Sequence, residues 1–377
     1  MKKIILTLCL LQIFGCFTKY GVVMDERENN TIPSMSHLNY ELSKYRKEVP
    51  KSIIFIIADG TGIGQYTLSY YANGPFAPAR FEHVGLVATH PNDGLCSSSC
   101  KRVTDSAASG TALSSGFKTY NGAIGVNPDT VAVKTMLEIA EEFGMSTGIV
   151  ATSTITHATP ASFASHVDYR KKENEIAYQY AQQEIDVILG GGKKYWPDAL
   201  IDDYVKNGAQ FIDNIDAPLK KGKRILGLFA EDALPSVHDG RKPSTTDMAK
   251  LAINRLDDNP NGFFVMIEES QVDWGGHANS AEYIQGEMSS LNTLINHVLD
   301  YQEFHQDVLV VLTADHECGG VAVHDGNDLS LDIRFTSDYH SANFVPIWST
   351  GPGSEVFDAF MDNTEIGKKL ITYIQNR

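Results

Sequence analysis

The sequence has few basic residues for its length and no apolar run long enough to span a bilayer. Its 377 residues include 31 lysines and arginines against 47 aspartates and glutamates, which gives a net charge of −16. This charge argues against a nucleic acid or an anionic membrane surface as a partner. The apolar stretch at residues 4–14 is too short for a transmembrane helix. The sequence also has no internal repeat and no low-complexity tract, so neither a solenoid nor a disordered chain is expected.

The N-terminal segment predicts export from the cytoplasm. A positively charged start followed by the apolar residues 4–14 is typical of a secretory signal peptide, which we place at residues 1–22. A polar lead-in follows over residues 23–50, and residues 51–377 are expected to form one domain. The protein is therefore predicted to be periplasmic or secreted. Lipid anchoring at Cys16 is a second interpretation, because Gly15-Cys16 loosely resembles the acceptor of a bacterial lipoprotein.

Cysteine is scarce as well, with five residues in the chain. Cys96 and Cys100 stand in a serine-rich stretch and can pair in an oxidising compartment, but not within a regular helix. A zinc site built on these two is not favoured, because no further cysteine or histidine stands at finger-like spacing. Cys318 is interpreted as a buried structural thiol rather than a metal ligand.

The order of apolar and amphipathic segments predicts the fold class. Short apolar runs are typical of strands buried on both faces, and they alternate with helical patterns. The strand-like runs are residues 52–58, 84–89, 147–151, 187–189, 225–229, 263–267, 308–313 and 345–349. The helical patterns are residues 131–143, 174–184, 246–256 and 280–304. This alternation predicts an α/β fold with a doubly wound, mostly parallel sheet sandwiched between helices.

The stretch from Val103 to Ala112 consists mainly of small and hydroxyl residues. It predicts a tightly packed helix with Thr104 or Asp105 as its N-cap. Ser106 then lies in the first turn, where free backbone N–H groups favour an anion or a developing alkoxide. This setting suits a serine nucleophile that attacks phosphorus. The alternative is that Ser106 only caps a packed helix.

Polar residues with metal-binding chemistry follow several predicted strands, at the sheet edge where ligands gather in this fold class. Asp273 and His277 offer oxygen and nitrogen ligands that suit zinc, although a capping or core role is the alternative. Asp315-His316 ends a buried strand, where either metal ligation or a salt bridge would compensate the charge. The hard oxygen ligands, which suit magnesium, are Asp59, Thr159 and Glu268. His340 stands in a polar loop before the last strand.

Taken together, these motifs resemble bacterial alkaline phosphatases. The matching segments, in that family's order, are Asp59-Gly60, Thr104 to Ala108, His157 to Ala161, Glu268 through Asp273 to His277, Ala314 to Glu317, and His340. The resemblance spans residues 50 to 350. It implies that residues 51–377 are a catalytic domain that hydrolyses small phosphate monoesters, and that the protein is a homodimer.

The resemblance also implies a role for each candidate residue. Ser106 is implied to be the nucleophile that becomes phosphorylated, held at the second of two zinc ions, and Arg170 to grip two phosphate oxygens. The implied ligands are Asp273, His277 and His340 for one zinc, Asp59, Asp315 and His316 for the other, and Asp59, Thr159 and Glu268 for magnesium, with His157 nearby.

Two positions depart from the best-known bacterial pattern. His157 stands where some members have aspartate, and Trp274 where some have lysine. One interpretation is that both are tolerated changes around the substrate. The other is that they alter the third metal site, which stays a magnesium site but also accepts zinc or cobalt, and that they weaken the binding of phosphate.

Three other functions compete with this interpretation. A sulfatase needs a Cys-x-Pro-x-Arg-like setting, but Ala107-Ala108 follows Ser106. A phosphodiesterase is expected to lack an equivalent of Arg170. A secreted phosphate-binding protein without turnover has no need of an intact Ser106.

Overall fold

A computed structural model describes residues 49–92, 101–327 and 330–377. The predicted signal peptide, Cys16 and the pair Cys96 and Cys100 lie outside the described residues. The strands in this part of the chain are β1 (Ser52–Ala58), β2 (His83–Ala88), β3 (Ser146–Thr154), β4 (Val187–Gly191), β5 (Ala209–Ile212), β6 (Arg224–Leu228), β7 (Phe263–Glu269), β8 (Val308–Thr313), β9 (Glu317–Cys318), β10 (Ala322–Asp325), β11 (Leu331–Arg334), β12 (His340–Ser341), β13 (Val345–Thr350) and β14 (Phe360–Asp362).

The α-helices alternate with these strands along the chain. They are α1 (Ile63–Ala72), α2 (Ser106–Ser115), α3 (Met136–Glu142), α4 (Ala158–Ala164), α5 (Glu173–Ala181), α6 (Asp198–Lys206), α7 (Thr245–Leu256), α8 (Gln271–His277), α9 (Ala281–Phe304) and α10 (Asn363–Gln375). Short 3₁₀ turns span Ala77–Arg80, Lys193–Tyr195 and Ser354–Phe357. Within the described ranges, no helix combines the length and apolarity that crossing a membrane requires.

One large sheet of ten strands organises the described chain. Its order is β14-β2-β13-β8-β1-β7-β3-β4-β6-β5. Strand β13 runs antiparallel to both of its neighbours, while the other nine strands share one direction. The predicted α/β fold with a mostly parallel sheet is therefore confirmed.

The central strand β1 shows why the sheet is covered on both faces. All seven of its residues are buried, and successive side chains point to opposite faces. Ile54 and Ile56 belong to a core cluster with residues of α7 and α9. Phe55, between them, contacts Phe163 of α4 at a ring distance of 6.1 Å. Helices on both faces therefore exclude water from the sheet, and polar side chains that can bind ligands lie where the strands end.

The helix predicted at residues 131–143 is shorter in the structure and begins at Met136. The reason is a capping box: the Thr135 hydroxyl accepts a hydrogen bond from the Glu138 backbone N–H, and the Glu138 carboxylate accepts one from Thr135. The preceding residues are extended, and Ala132 forms a bridge with Val126. The capping box therefore sets the start of this helix at Met136, although the apolar spacing of residues 131–134 predicted an earlier start.

Candidate active site

Ser106 is the first residue of α2, and Asp105 is its N-cap, as one of the two predicted alternatives proposes. Asp105 Oδ1 accepts the backbone N–H of Ala108 at 2.9 Å. The serine side chain is buried, and its Oγ lies 3.3 Å from Nε2 of His316, 210 residues later in the chain. The helix therefore presents the hydroxyl at its positive end, facing residues from a distant strand.

Asp105 also holds Arg170, which lies in the loop between α4 and α5. Its Oδ2 is 3.1 Å from Arg170 Nη1, and Arg170 Nη2 is 3.2 Å from His157 Nε2. Burial and the neighbouring guanidinium lower the pKa of His157 to about 3, so this ring is neutral. The ring of Trp274 meets His157 edge-on at 6.3 Å. Arg170 is thus fixed beside Ser106 through the cap residue of the same helix.

The loop that carries Arg170 is fastened by a histidine. His166 Nδ1 is 2.6 Å from the carbonyl oxygen of Gly125, and its Nε2 is 3.0 Å from Glu138 Oε1. Both partners accept hydrogen bonds, so the ring donates from both nitrogens only when it is charged. Burial opposes that charge, but Glu138 outweighs burial and raises the pKa of His166.

A first cluster of metal-binding groups joins α8 to the short strand β12. His277 Nε2 lies 3.2 Å from His340 Nε2, and both rings approach the carboxylate of Asp273. His277 Nδ1 lies 2.7 Å from the carbonyl oxygen of Asp338, and His340 Nδ1 lies 2.8 Å from that of Thr104. Both Nε2 atoms are therefore free to bind a cation. Asp273 raises the pKa of His277 to about 9, so a proton is favoured at this position. A metal ion would compete with that proton.

A second cluster lies at the ends of β1 and β8. Asp59, Asp315 and His316 are all fully buried. His316 Nε2 is 3.6 Å from Asp59 Oδ1 and 3.3 Å from Asp315 Oδ2. Burial, together with neighbouring carboxylates, raises the pKa of Asp59 well above its usual range and that of Asp315 to about 6. A cation between these carboxylates would relieve both the burial cost and their repulsion.

A third cluster shares Asp59 with the second and adds Glu268 from the end of β7. Glu268 Oε2 accepts hydrogen bonds from Ser153 at 3.1 Å and Ser270 at 2.5 Å. Burial raises the pKa of Glu268 to about 7. Ligand atoms of Asp59, His157 and Glu268 lie within 4.8 Å of one another. The predicted hydroxyl ligand Thr159 is fully buried at the start of α4.

The residues fit divalent ions because several buried polar atoms have no hydrogen-bond partner among the described residues. These atoms are both carboxylate oxygens of Asp59, Oγ1 of Thr159, Oε1 of Glu268, Oδ1 of Asp273 and Oδ2 of Asp315. Oxygen atoms buried without a partner are costly, and coordination of a cation would satisfy them. The structure therefore groups most of the predicted ligand residues in three sets. The second and third sets share Asp59, and the second contacts Ser106 through His316.

Sequence reasoning missed three features that lie next to the site. The pairing of Asp105 with Arg170 is one. The second is a buried bridge in which Arg241 meets Glu269 at 2.6 Å and Glu287 at 2.7 Å, directly behind Glu268. The third is Cys318, whose sulfur lies within the first cluster. The adjacent pair Glu268-Glu269 was a sequence signal for this bridge. Successive residues of a strand point to opposite faces of the sheet, so only one of the two carboxylates can face the other ligand residues.

Comparison with known proteins gives consistent matches. The alkaline phosphatase family profile matches residues 50–330. Alkaline phosphatase 3 of Bacillus subtilis is 34% identical, over 89% of this chain and 91% of the relative. The structure of alkaline phosphatase from the Antarctic bacterium TAB5 has a TM-score of 0.81 and 34% identity, and covers 87% of this chain and 99% of that one. A histidine-to-aspartate mutant of the TAB5 enzyme, with Mg bound in its M3 site, matches with a TM-score of 0.80, 34% identity and the same coverage of both chains.

Proposed function

Because the chain belongs to the alkaline phosphatase family and is a phosphomonoester hydrolase, we propose that it works through a phosphoserine on Ser106. The observation that carries this proposal is the position of the Ser106 hydroxyl, at the start of α2 and 3.3 Å from His316 Nε2, among three sets of metal-binding residues. The sulfatase, diesterase and non-catalytic alternatives find no support in the comparisons.

In the proposed reaction, the Ser106 hydroxyl loses its proton and its oxygen attacks phosphorus. The bond from phosphorus to the ester oxygen breaks, and that oxygen takes up a proton and leaves as the alcohol. Water then attacks the phosphoserine, so that inorganic phosphate departs and the hydroxyl is restored. Two in-line displacements retain the configuration at phosphorus. The positive end of α2 stabilises negative charge on Ser106 and on the phosphate oxygens as they approach the helix.

Arg170 is proposed to bind two non-bridging oxygens of the phosphate. A planar guanidinium suits this forked contact better than the single ammonium of lysine. Asp105 and His157 each take one edge of the guanidinium, which fixes its plane before substrate arrives. Fixing it in advance reduces the entropy lost on binding.

Two zinc ions and one magnesium ion are proposed for the three clusters. Zinc suits Asp273, His277 and His340, and also Asp59, Asp315 and His316, whereas magnesium suits the oxygen donors Asp59, Thr159 and Glu268. Bound there, such ions would neutralise charge on the phosphate and lower the pKa of the attacking oxygen. The magnesium reported in the M3 site of the TAB5 mutant supports a metal-dependent reaction.

His157 is proposed to reach the third set as a hydrogen-bond donor rather than as a ligand. Arginine can only donate, so His157 Nε2 accepts from Arg170. The neutral ring then carries its proton on Nδ1, which is buried and without an acceptor in the described part of the chain. A protonated nitrogen cannot bind a metal, but it can donate to a water or an oxygen ligand of that metal.

The phosphoserine proposal is tested by comparing the wild type with Ser106→Ala. We expect the wild type to hydrolyse 4-nitrophenyl phosphate, to lose activity on chelation and to regain it with zinc and magnesium. With an added alcohol, part of the phosphoryl group should transfer to that alcohol. The matched control is Ser114→Ala on the same helix, whose hydroxyl bonds the carbonyl of Ser162. Full activity of Ser106→Ala, or no transfer to alcohol, would overturn the proposal.

Export to the periplasm or beyond, and assembly as a homodimer, are proposed on the sequence and the family alone. N-terminal sequencing of the mature protein tests the signal peptide at residues 1–22. Light scattering of the purified enzyme tests the dimer, because a monomeric mass at assay concentration would contradict it.

A further inference from the structure

Cys318 lies on the same side of a two-stranded ribbon as the metal-binding histidine His340. Strand β9 pairs with β12 in antiparallel register, and Cys318 stands directly opposite His340. Side chains of opposed residues point to the same face of such a pair. The other register pair, Glu317 and Ser341, is joined by a hydrogen bond. Cys318 is fully buried.

The ribbon approaches α8 closely because Gly276 has no side chain. A Cβ atom at Gly276 would lie 2.8 Å from the Cβ of Cys318. Gly276 stands between Asp273 and His277 along that helix, so the thiol meets the helix at its two ligand residues. One potential ligand atom from each of Asp273, His277, Cys318 and His340 lies within 4.8 Å of each of the others.

A second observation, an unsatisfied buried oxygen, favours a cation in this cluster. Asp273 is 4% exposed, and its Oδ1 has no hydrogen-bond donor among the described residues, although His340 Nε2 stands 3.3 Å away. Around a tetrahedral ion with bonds of about 2.0 to 2.3 Å, ligand atoms lie about 3.3 to 3.8 Å apart. The four groups therefore reach that geometry by moving together by about 1 Å.

We propose that the sulfur of Cys318 is a fourth protein ligand of the divalent ion held by Asp273, His277 and His340. This rests on the proposed metal site and revises the sequence-based interpretation of Cys318 as a structural thiol only. As the sulfur–metal bond forms, the S–H bond breaks and its proton passes to solvent. A thiolate selects zinc or cobalt over magnesium and manganese.

A consequence of four protein ligands is that the tetrahedral shell is complete before substrate arrives. Catalytic zinc sites usually keep one position open. The substrate oxygen must then enter as a fifth ligand or displace one of the four. Cys318 is therefore expected to slow the loss of metal from this site.

The test is the visible and near-ultraviolet absorption of the full-length enzyme after chelation and reloading with Co²⁺. A sulfur-to-cobalt charge-transfer band is expected in the wild type and should be absent in Cys318→Ser. The double variant Cys96→Ser/Cys100→Ser controls for the two other thiols that lie after the predicted signal peptide, and it should keep the band. We also expect Cys318→Ser to bind zinc at this site about 10 to 100 times more weakly, as when a group that supports a metal site is removed.

The proposal fails if the wild type lacks the band, or if the band survives in Cys318→Ser. Should Cys318→Ser not fold, zinc X-ray absorption of the wild type decides, since a zinc–sulfur distance of about 2.3 Å supports the proposal and its absence overturns it. Ser106→Ala separates the two proposals. An active Ser106→Ala contradicts the phosphoserine whatever the spectrum shows, whereas absence of the cobalt band from the wild type, or its survival in Cys318→Ser, contradicts only the role of Cys318.

Discussion

Replacing Arg170 by alanine tests whether the guanidinium grips the phosphate. In the structure, Arg170 is held by Asp105 at 3.1 Å and by His157 at 3.2 Å. Its side chain is 21% exposed, so water reaches part of the space that alanine would leave. The variant therefore loses a positioned charge without opening a large buried cavity, and we expect it to fold.

The size of the effect follows from two charge-assisted hydrogen bonds to the phosphate. Each is worth about 1.5 to 3 kcal/mol, and water that enters the site recovers part of the total. We expect a loss of about 2 to 4 kcal/mol in transition-state binding, which is about 30- to 1000-fold in kcat/KM. Part of this loss belongs to Asp105, because its carboxylate is left without a partner beside the substrate.

A double-mutant cycle with Asp105→Asn separates these contributions. Asparagine caps a helix about as well as aspartate, so α2 should keep its start. The assay is steady-state hydrolysis of a phosphate monoester and of a diester, which has fewer free oxygens to bind. The fall in kcat/KM should be larger for the monoester. An unchanged kcat/KM, or an equal fall for both substrates, would refute the assigned role of Arg170.

Three further changes probe the surroundings of the site. Trp274→Lys places a charge near the phosphate and should lower the product-inhibition constant of phosphate about two- to fivefold, as for one partly exposed charge; an unaltered constant contradicts this. Arg241→Met leaves two buried glutamates without their cation and should lower the free energy of unfolding by about 3 to 5 kcal/mol in denaturant titration, whereas a loss below about 1 kcal/mol argues against the buried bridge. The pKa of His166 is higher in the folded protein than its unfolded value of about 6.5. The stability that the charged ring contributes is therefore complete below about pH 6.5 and is lost as the pH rises through the folded pKa. His166→Gln should therefore be less stable than the wild type by about 1 kcal/mol at pH 6, with a gap that closes at alkaline pH; a gap that does not vary with pH would contradict a charged His166.

Strands and strand ends could be predicted from the sequence because a strand that is buried on both faces is a nearly continuous run of apolar residues. The run at 52–58 is apolar at nearly every position, and the structure places β1 there, with Asp59 directly after it. The resemblance implied that Asp59 and Asp315 bind one zinc, and the two residues share the second cluster. The catalytic and ligand roles of these residues stay predictions until variants are assayed.

Features that depend on packing between distant segments could not be predicted. Asp105 and Arg170 are 65 residues apart, and neither position has a local pattern that identifies its partner. The antiparallel direction of β13 depends on its pairing with β2 and β8, which a short apolar run does not encode. Cys318 was interpreted as a structural thiol from the sequence. Its position opposite His340 depends on the pairing of β9 with β12, which the sequence alone does not show.

The charge of the site explains how an acidic protein can act on an anion. Four buried carboxylates surround Ser106, namely Asp59, Glu268, Asp273 and Asp315. The fifth nearby carboxylate, Asp105, is paired with Arg170. With neutral histidines, two divalent ions would only balance the four carboxylates, and a phosphate dianion would gain little by entering. A third divalent ion leaves two positive charges, or one when Cys318 binds as a thiolate, and this net positive charge favours binding of the dianion. The third set, with His157 beside it, is therefore expected to govern phosphate affinity.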